Sequence, residues 1–227
     1  MRPIDATLLV IAKAPIAGFA KTRLTPPFSP TEAAGLAAAS LLDTLAAVRD
    51  SGIRHRMVAW TGDLARAERA DEIAVALADF EVVPQSDGSF GERLAGAHAD
   101  AACAGLPVLQ IGMDTPQAGP ELLAASAARL LACGDTVLGP ATDGGWWALG
   151  LTDPAAASIL VTVPMSTART GELTASALRR YGCRLHRLPA LTDVDTVAEV
   201  EPVAALRAGE FARAVARLRA ARLRTTV

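Results

Sequence analysis

The sequence predicts an α/β protein with a mostly parallel central sheet and helices on both faces. Three observations predict it. The run Thr7-Leu8-Leu9-Val10-Ile11-Ala12 is continuously apolar, as expected of a strand buried on both faces of a parallel sheet. Further strand-like runs at 56–61, 80–83 and 107–112 alternate with alanine-rich helical stretches, the rhythm of strand–helix crossovers. Aromatic residues make up only 4% of the chain while 51% is hydrophobic, which favours aliphatic helices on a sheet over an aromatic-rich sandwich.

The elements follow in order. After the first strand, a loop marked by glycine and proline leads to Ser29-Pro30-Thr31-Glu32. There Ser29 caps a helix, Pro30 suits its first position and Glu32 completes a capping box. That helix runs to about Asp50, where Gly52 ends it. A second strand over 56–61 is followed by a helix from Asp63 to about Ala78, then a strand over 80–83. A glycine-rich loop precedes a helix reaching Ala104, and the strand 107–112 leads through a loop to a helix over 120–133. Strands at 136–138 and 146–149 flank the loop 139–145, and the pair around Trp146 suits an antiparallel element. Helices over 154–160 and 170–181, a strand over 184–188, the segment 192–196 and two final helices complete the chain.

A chain of 227 residues suits one domain, 1–227. A net charge of −2 gives no general pull toward nucleic acid or membrane. Arg213, Arg217, Arg219, Arg222 and Arg224 cluster near the end; they read as the solvated face of a last helix, or as a contact for phosphate or anionic lipid. Cys103, Cys133 and Cys183 are far apart and read as small buried apolar residues. The N-terminus has no long apolar stretch ending in a cleavage site, and 7–12 is too short to span a membrane. No membrane span and a cytoplasmic location are therefore expected.

In open α/β sheets ligands bind outside the carboxyl ends of the strands, and three such loops carry unusual chemistry. The loop 13–23 holds Lys13, Lys21 and Arg23 around Gly18. Backbone amides near the glycine and these cations suit a phosphate; the alternative is an exposed basic loop. It matches neither the P-loop nor the dinucleotide pattern. Asp114, after the strand ending at Gly112, suits a hard cation held with phosphate oxygens, or a turn cap. In Asp143-Gly144-Gly145-Trp146-Trp147 the glycines allow a ligand close to backbone, and the tryptophans either stack on a ring or pack. Further on, Asp193 and Asp195 share one side of an extended segment: they suit a metal, while Asp195 equally suits capping a helix near Thr196. His55, His98 and His186 sit in or beside predicted strands or a helix, with no serine or cysteine arranged as a nucleophile.

Taken in order, Ala12-Lys13-Ala14-Pro15, Gly18, Lys21-Thr22-Arg23-Leu24, Gln85, Gly91-Glu92-Arg93, Gly112-x-Asp114-x-Pro116, Gly139-Pro140-Ala141-x-Asp143-Gly144-Gly145, Ser166-Thr167 and Asp193-Val194-Asp195-Thr196 form a set that resembles a family of small glycosyltransferase-A-like (GT-A) proteins. These are described as glycosyltransferases or radical-SAM/selenodomain-associated transferases. More remotely the set is similar to nucleotidyltransferases that make molybdenum cofactor dinucleotides or guanylylate phospholactate. The resemblance implies a Rossmann-like GT-A nucleotide-diphospho-sugar transferase fold. It implies nucleotide binding by Ala12, Lys13, Ala14, Pro15, Gly18, Lys21, Arg23, Gln85 and Arg93, and a Mg²⁺ or Mn²⁺ ion on Asp114 and Asp195. Substrate contacts would come from Asp143, Gly144, Gly145, Ser166 and Thr167, and catalytic roles would fall to Asp114, Asp143 and Lys21.

The function so implied is a metal-dependent transfer from a nucleotide-activated donor, with a glycosyl group moving from a nucleotide-diphosphate sugar to a small-molecule acceptor. The alternatives are guanylyl or cytidylyl transfer to a phosphorylated small molecule with release of pyrophosphate, and a non-catalytic nucleotide-binding domain. No nucleic-acid partner is implied, and a homo-oligomer is compatible with the reading. The chain departs from the family pattern at Met113 before the aspartate, at Met165 where a tryptophan is usual, and at the Trp146-Trp147 pair, so the acceptor side differs most.

Overall fold

The computed structural model describes residues 3–225. Its strands are β1 (Ile4–Lys13), β2 (Ile53–Thr61), β3 (Glu81–Pro84), β4 (Val108–Gly112), β5 (Thr136–Pro140), β6 (Trp146–Leu151) and β7 (Leu185–Arg187). Its helices are α1 (Pro30–Asp50), α2 (Ala70–Leu77), α3 (Phe90–Ala102), α4 (Pro120–Cys133), α5 (Thr170–Tyr181), α6 (Val197–Ala204) and α7 (Glu210–Thr225). The seven strands form one sheet in the order β3-β2-β1-β4-β6-β5-β7. All neighbours pair in parallel except β6, which runs antiparallel to both β4 and β5. The antiparallel element expected around Trp146 is therefore present.

Alternate residues of the central strands face opposite layers, as the two-residue period requires. Leu8 and Val10 of β1 join a core with Ala37 and Leu41 of α1, Ile73 of α2 and Leu123 of α4. Leu9 faces the other way, with Ala97 and Ala101 of α3. Leu94, Leu149, Leu160 and Leu178 extend that second layer toward α5. By length and composition α1 is apolar enough to cross a membrane, yet 72% of its most apolar window is buried inside the fold, as befits the central core helix.

The expected cap of α1 is present: the Glu32 amide donates to Ser29 Oγ, and the Ser29 amide donates to the Glu32 carboxylate at 2.7 Å. An identical device starts α3 at Ser89 and Glu92. Three expectations need correction. The helix expected from Asp63 is split into a 3-10 turn at Leu64–Arg66 and α2, because Arg69 takes a left-handed backbone and anchors its guanidinium on Glu72 and Glu210. The helix expected over 154–160 is a 3-10 segment, Pro154–Thr162. The cysteines are not buried: Cys103 is exposed at the C-cap of α3, and Cys133 and Cys183 are partly exposed. The C-terminal arginines mostly face solvent, but Arg222 stacks over the Phe28 ring at 4.3 Å and donates to the Pro27 carbonyl.

One buried carboxylate fastens α7 to α1. Asp43 accepts from the amides of Glu210 and Phe211, each at 2.8 Å, satisfying two donors at the start of α7. Replacing Asp43 with Ala leaves those donors unpaired, and we expect a loss of about 2 kcal/mol of stability, read as a lower urea midpoint; an unchanged midpoint would sink this account.

His98 supplies a second prediction. It is fully buried and neither ring nitrogen has a partner, and burial pushes its pKa down to about 3. Between an ordinary value near 6.5 and about 3 the unfolded chain takes up a proton that the folded chain refuses, so stability falls as pH drops through that window. This group contributes up to about 1.4 kcal/mol per pH unit there. Denaturant midpoints at pH 7 and pH 5 should drop more in the wild type than in His98→Leu; equal drops would contradict it.

Candidate functional site

The carboxyl ends of β1 and β4, together with the loops after β5 and β7, border a cleft of about 690 Å³, within the usual range for small-ligand sites. The strand order explains its position. From β1 the chain crosses to β2 on one side, and β4 lies on the other; loops diverging at such a switch point leave a crevice.

Asp114 lies just beyond β4. The segment after β7 is stitched beside it, because the Val194 amide donates to the Asp114 carbonyl at 3.0 Å. Gln117 adds a bond from its Nε2 to the Thr192 carbonyl at 2.8 Å. Val194 is buried, and Asp193 and Asp195 both line the cleft beside it. Asp195 does not cap α6: Thr196 is the capping residue, with its amide donating to the Glu199 carboxylate.

The cation that meets these acids is Lys21. Its Nζ lies 2.8 Å from Asp114 Oδ2 and 2.7 Å from Asp195 Oδ1, with the lysine side chain 11% exposed. Burial disfavours the ammonium, but the two carboxylates outweigh that and hold its pKa above the ordinary lysine value. Burial likewise works to raise Asp195, and Lys21 reverses the direction, leaving it below the usual carboxylate range. Asp193 lacks such a partner. Burial first, then the charges of Asp114, Asp143 and Asp195, push its carboxyl up to about 7 against the opposing effect of Lys21. Asp114 and Asp195 thus meet one ammonium, with Asp193 and Asp143 close enough to be felt at the acidic end of the cleft.

Lys21 reaches this point through a left-handed backbone, φ 50° and ψ 42°, at the start of the 3-10 turn Thr22–Leu24. The turn is anchored by Leu24, fully buried among Leu36, Val194, Val200 and Phe211. The rest of the loop 13–23 folds on itself. Lys13 Nζ donates to the Phe19 carbonyl at 2.9 Å, and the Ala20 amide donates to the Ile16 carbonyl at 3.0 Å. Gly18 takes φ 79°. The Ala14 amide closes onto the Thr61 carbonyl, and the Pro15 carbonyl accepts from the Glu68 amide. Met113 is buried as a brace: its sulfur accepts from the Lys13 amide and its carbonyl from Ser40 Oγ.

The other expected residues divide. Gln85 donates from Nε2 to the carbonyls of Ala12 and Ala59, each at 2.9 Å, and its Oε1 accepts from Arg93 at 3.2 Å. Arg93 also lies over the Phe90 ring, 5.3 Å from its centroid, and its buried Nε has no partner. Arg23 lines the cleft. Asp143 Oδ1 accepts from the Gly145 amide at 2.8 Å. Gly144 takes φ 92°, and a side chain there would meet the Ala168 carbonyl at 2.0 Å, so this turn tolerates only glycine. Ser166 has φ 58°, and the Thr167 amide donates to Thr170 Oγ1 at 3.0 Å. Ser166 and Thr167 line the cleft, although their local bonds start α5. Sequence reasoning missed Gln110 and Phe90 as cleft residues, and left Trp146 and Trp147 open between ring stacking and packing; both line the cleft. Gln110 carried the one available signal, a polar side chain within an apolar strand.

Among the described residues, no group of three or more His, Cys, Asp or Glu side chains is arranged to hold a metal ion. Two carboxylates converging on one ammonium do mark a single cation-sized point, and this suits Mg²⁺ or Mn²⁺, which take one or two carboxylates plus phosphate oxygens.

Solved structures share this architecture. A protein from Desulfovibrio desulfuricans G20, assigned as a nucleotide-diphospho-sugar transferase, superposes with a TM-score of 0.75 at 25% identity, over 87% of this chain and 84% of that one. A CMP:2-keto-3-deoxy-manno-octonic acid synthetase complexed with CTP gives 0.52 at 13% identity, over 89% and 98%. A 4-diphosphocytidyl-2C-methyl-D-erythritol synthase from Anaerococcus prevotii DSM 20548 gives 0.57 at 10% identity, over 88% and 94%. At their identities the last two share the fold alone. Among curated proteins no sequence matches the chain. The fold is that of the nucleotide-diphospho-sugar transferases and nucleotidyltransferases, and the mostly parallel sheet covered on both faces agrees with expectation. The family model described as "Uncharacterized protein conserved in bacteria (DUF2064)" matches residues 44–167, and the chain belongs to that family.

Proposed function

We propose that this chain is a metal-dependent transferase that takes its group from a nucleotide-activated donor, with glycosyl transfer from a nucleotide-diphosphate sugar as the leading reaction. The observation that carries the reading is the Lys21–Asp114–Asp195 triad at the mouth of the β1–β4 crevice. The likeness to a protein assigned as a nucleotide-diphospho-sugar transferase supports it.

In this reading the loop 13–23 receives the nucleotide, with Gln85 holding the Ala12 end of β1 in place and Arg93 lining the cleft beside it. Asp114 and Asp195 would hold Mg²⁺ or Mn²⁺. When bound, that ion supplies charge neutralisation of the departing diphosphate. Lys21 and Arg23 add fixed positive charge toward the same phosphates. Asp143, held in its turn by the Gly145 amide, faces the acceptor side with Gly145, Ser166 and Thr167, while Gly144 shapes the turn behind them. Before a metal binds, burial and the neighbouring carboxylates push the Asp193 carboxyl up to about 7, which lets it hold a proton near neutral pH.

A second reading keeps the site and moves the nucleotidyl group instead, releasing pyrophosphate. In it Lys21, once a metal takes its place on the carboxylates, would add positive charge beside an α-phosphate under attack.

Two outcomes are expected. Calorimetry with Mn²⁺ present should detect nucleoside diphosphates or nucleotide sugars binding the wild type, and Asp114→Ala should remove the metal-dependent part. Absence of binding across UDP, GDP, ADP and CDP forms with metal would end the proposal, while pyrophosphate release from GTP or CTP would select the second reading.

The other outcome concerns the lysine. A divalent ion must displace the Lys21 ammonium from both carboxylates, so without nucleotide the wild type should bind Mn²⁺ weakly. Lys21→Met should bind Mn²⁺ about tenfold more tightly, a gain of about 1.4 kcal/mol, while binding nucleoside diphosphates less well. Unchanged or weaker Mn²⁺ binding, measured by electron paramagnetic resonance, would exclude competition for that point.

A further inference from the structure

Helix α7 has two apolar faces, and the core uses one of them. Phe211 and Val215 are buried with Leu36 of α1 and Val203 of α6. On the outer side an open groove of about 310 Å³ runs between α6 and α7, lined by Ala204, Ala205, Ala212, Ala216, Ala220 and Leu223. Leu223 at one end is 65% exposed, and Leu206, next to Ala205, is 67% exposed. Core packing accounts for neither leucine.

The charge on this face is segregated from the rest of the molecule. Helix α7 carries five arginines against the single acid Glu210, a net charge of +4 in a chain whose net charge is −2. Two of the five have carboxylate partners: Arg213 pairs with Glu210 and Arg222 with Glu32. Arg217, Arg219 and Arg224 are exposed and form no ion pair among the described residues, although Arg217 feels the more distant charge of Glu72. Glu201 is the one acid bordering the groove. Helical periodicity places Ala216, Ala220 and Leu223 within about 60° of one another, with Arg219 on one flank and Arg217 and Arg224 on the other. An apolar strip between free arginines is the pattern of a helix that lies in a membrane interface.

We infer that the outer face of α6 and α7 docks on an anionic lipid bilayer, with Leu223 entering the headgroup region and Arg217, Arg219 and Arg224 meeting lipid phosphates around it. Arginine suits this place because its stem lies along apolar surface while its guanidinium reaches the phosphates, and each such cation near an anionic surface adds to the attraction. A nucleic acid would satisfy the arginines but offers Leu223 no apolar cover. The contact is peripheral: the inner face of α7 is committed to the core through Phe211 and Val215, and 16 residues are too few to span a bilayer. No residue of the β1–β4 cleft takes part, so the inference stands apart from the transfer reaction.

The test is co-sedimentation of the full chain with vesicles of phosphatidylcholine alone and with vesicles of equal parts phosphatidylcholine and phosphatidylglycerol. The wild type should partition onto the anionic vesicles at least about tenfold more strongly than onto the neutral ones, and raising the salt from about 0.1 M to about 0.5 M should weaken that binding. Leu223→Asp, and separately the triple variant Arg217→Gln, Arg219→Gln and Arg224→Gln, should each bind anionic vesicles at least about fivefold less well. All four positions are exposed, so both variants should melt with the wild type; if the triple variant does not fold, Leu223→Asp decides. Val75→Asp, which alters a 76% exposed apolar side chain on α2 outside the groove, should bind as the wild type does. The inference is overturned if the wild type shows no preference for anionic vesicles, or if Leu223→Asp binds them unchanged. Where that preference is missing, a dimer in sedimentation velocity that Leu223→Asp dissociates identifies a second copy as the occupant. Salt-sensitive binding of a mixed-sequence oligonucleotide in its place identifies a nucleic acid.

Discussion

The site depends on one electrostatic constraint: acidic side chains from three separate loops must coexist within reach of one another. Asp114, Asp143, Asp193 and Asp195 come from the ends of β4, β5 and the chain beyond β7, and like charges at such range oppose folding unless a cation or a proton intervenes. Both devices are visible. Lys21 binds two of the carboxylates directly, and Asp193 answers with a pKa of about 7. In the proposed function, exchange of one cation for another at the carboxylate pair would couple metal and nucleotide binding through a single lysine.

Much of the scaffold was legible because it obeys local rules. The limits of α4 and α5 coincide with the expected 120–133 and 170–181, since Pro120 and Gly134, and Gly182 after α5, punctuate them. The Ser29 capping box was readable for the same reason. The expectations that failed needed tertiary information. Arg69 breaks the helix expected from Asp63 because its guanidinium reaches Glu210 at the start of α7, a partner no local window contains. Cysteine composition said nothing about the C-cap position that exposes Cys103.

The site itself was half legible. Residue type and position pointed to Asp114, to the loop 13–23 and to Asp193 and Asp195, and the family resemblance singled out Asp195. What the sequence hid was the pairing. The left-handed backbone of Lys21 is not written in its residue type, and a lysine expected to face phosphate instead lies between two carboxylates. The role of Asp195 stood open between a metal and a helix cap; Thr196 takes the cap, and the bond from Val194 to Asp114 sets Asp195 beside Asp114 instead.

The C-terminal helices explain why these side chains meet at all. A second core joins Leu24 and Phe28 of the first loop, Val194 of the acidic segment, and Val200, Val203, Phe211 and Val215 of α6 and α7. Leu24 lies three residues beyond Lys21, and Val194 lies between Asp193 and Asp195. Burying Leu24 fixes where the Lys21 turn begins. Burying Val194 in an extended segment turns both flanking aspartates the other way, toward the cleft. One apolar cluster thus sets the cation and its carboxylate against each other. It is held to the main sheet by Asp43 capping α7 and by Arg69 gripping Glu210. Among the described residues the chain that follows β7 contributes no strand, yet it supplies the packing from which the triad takes its geometry.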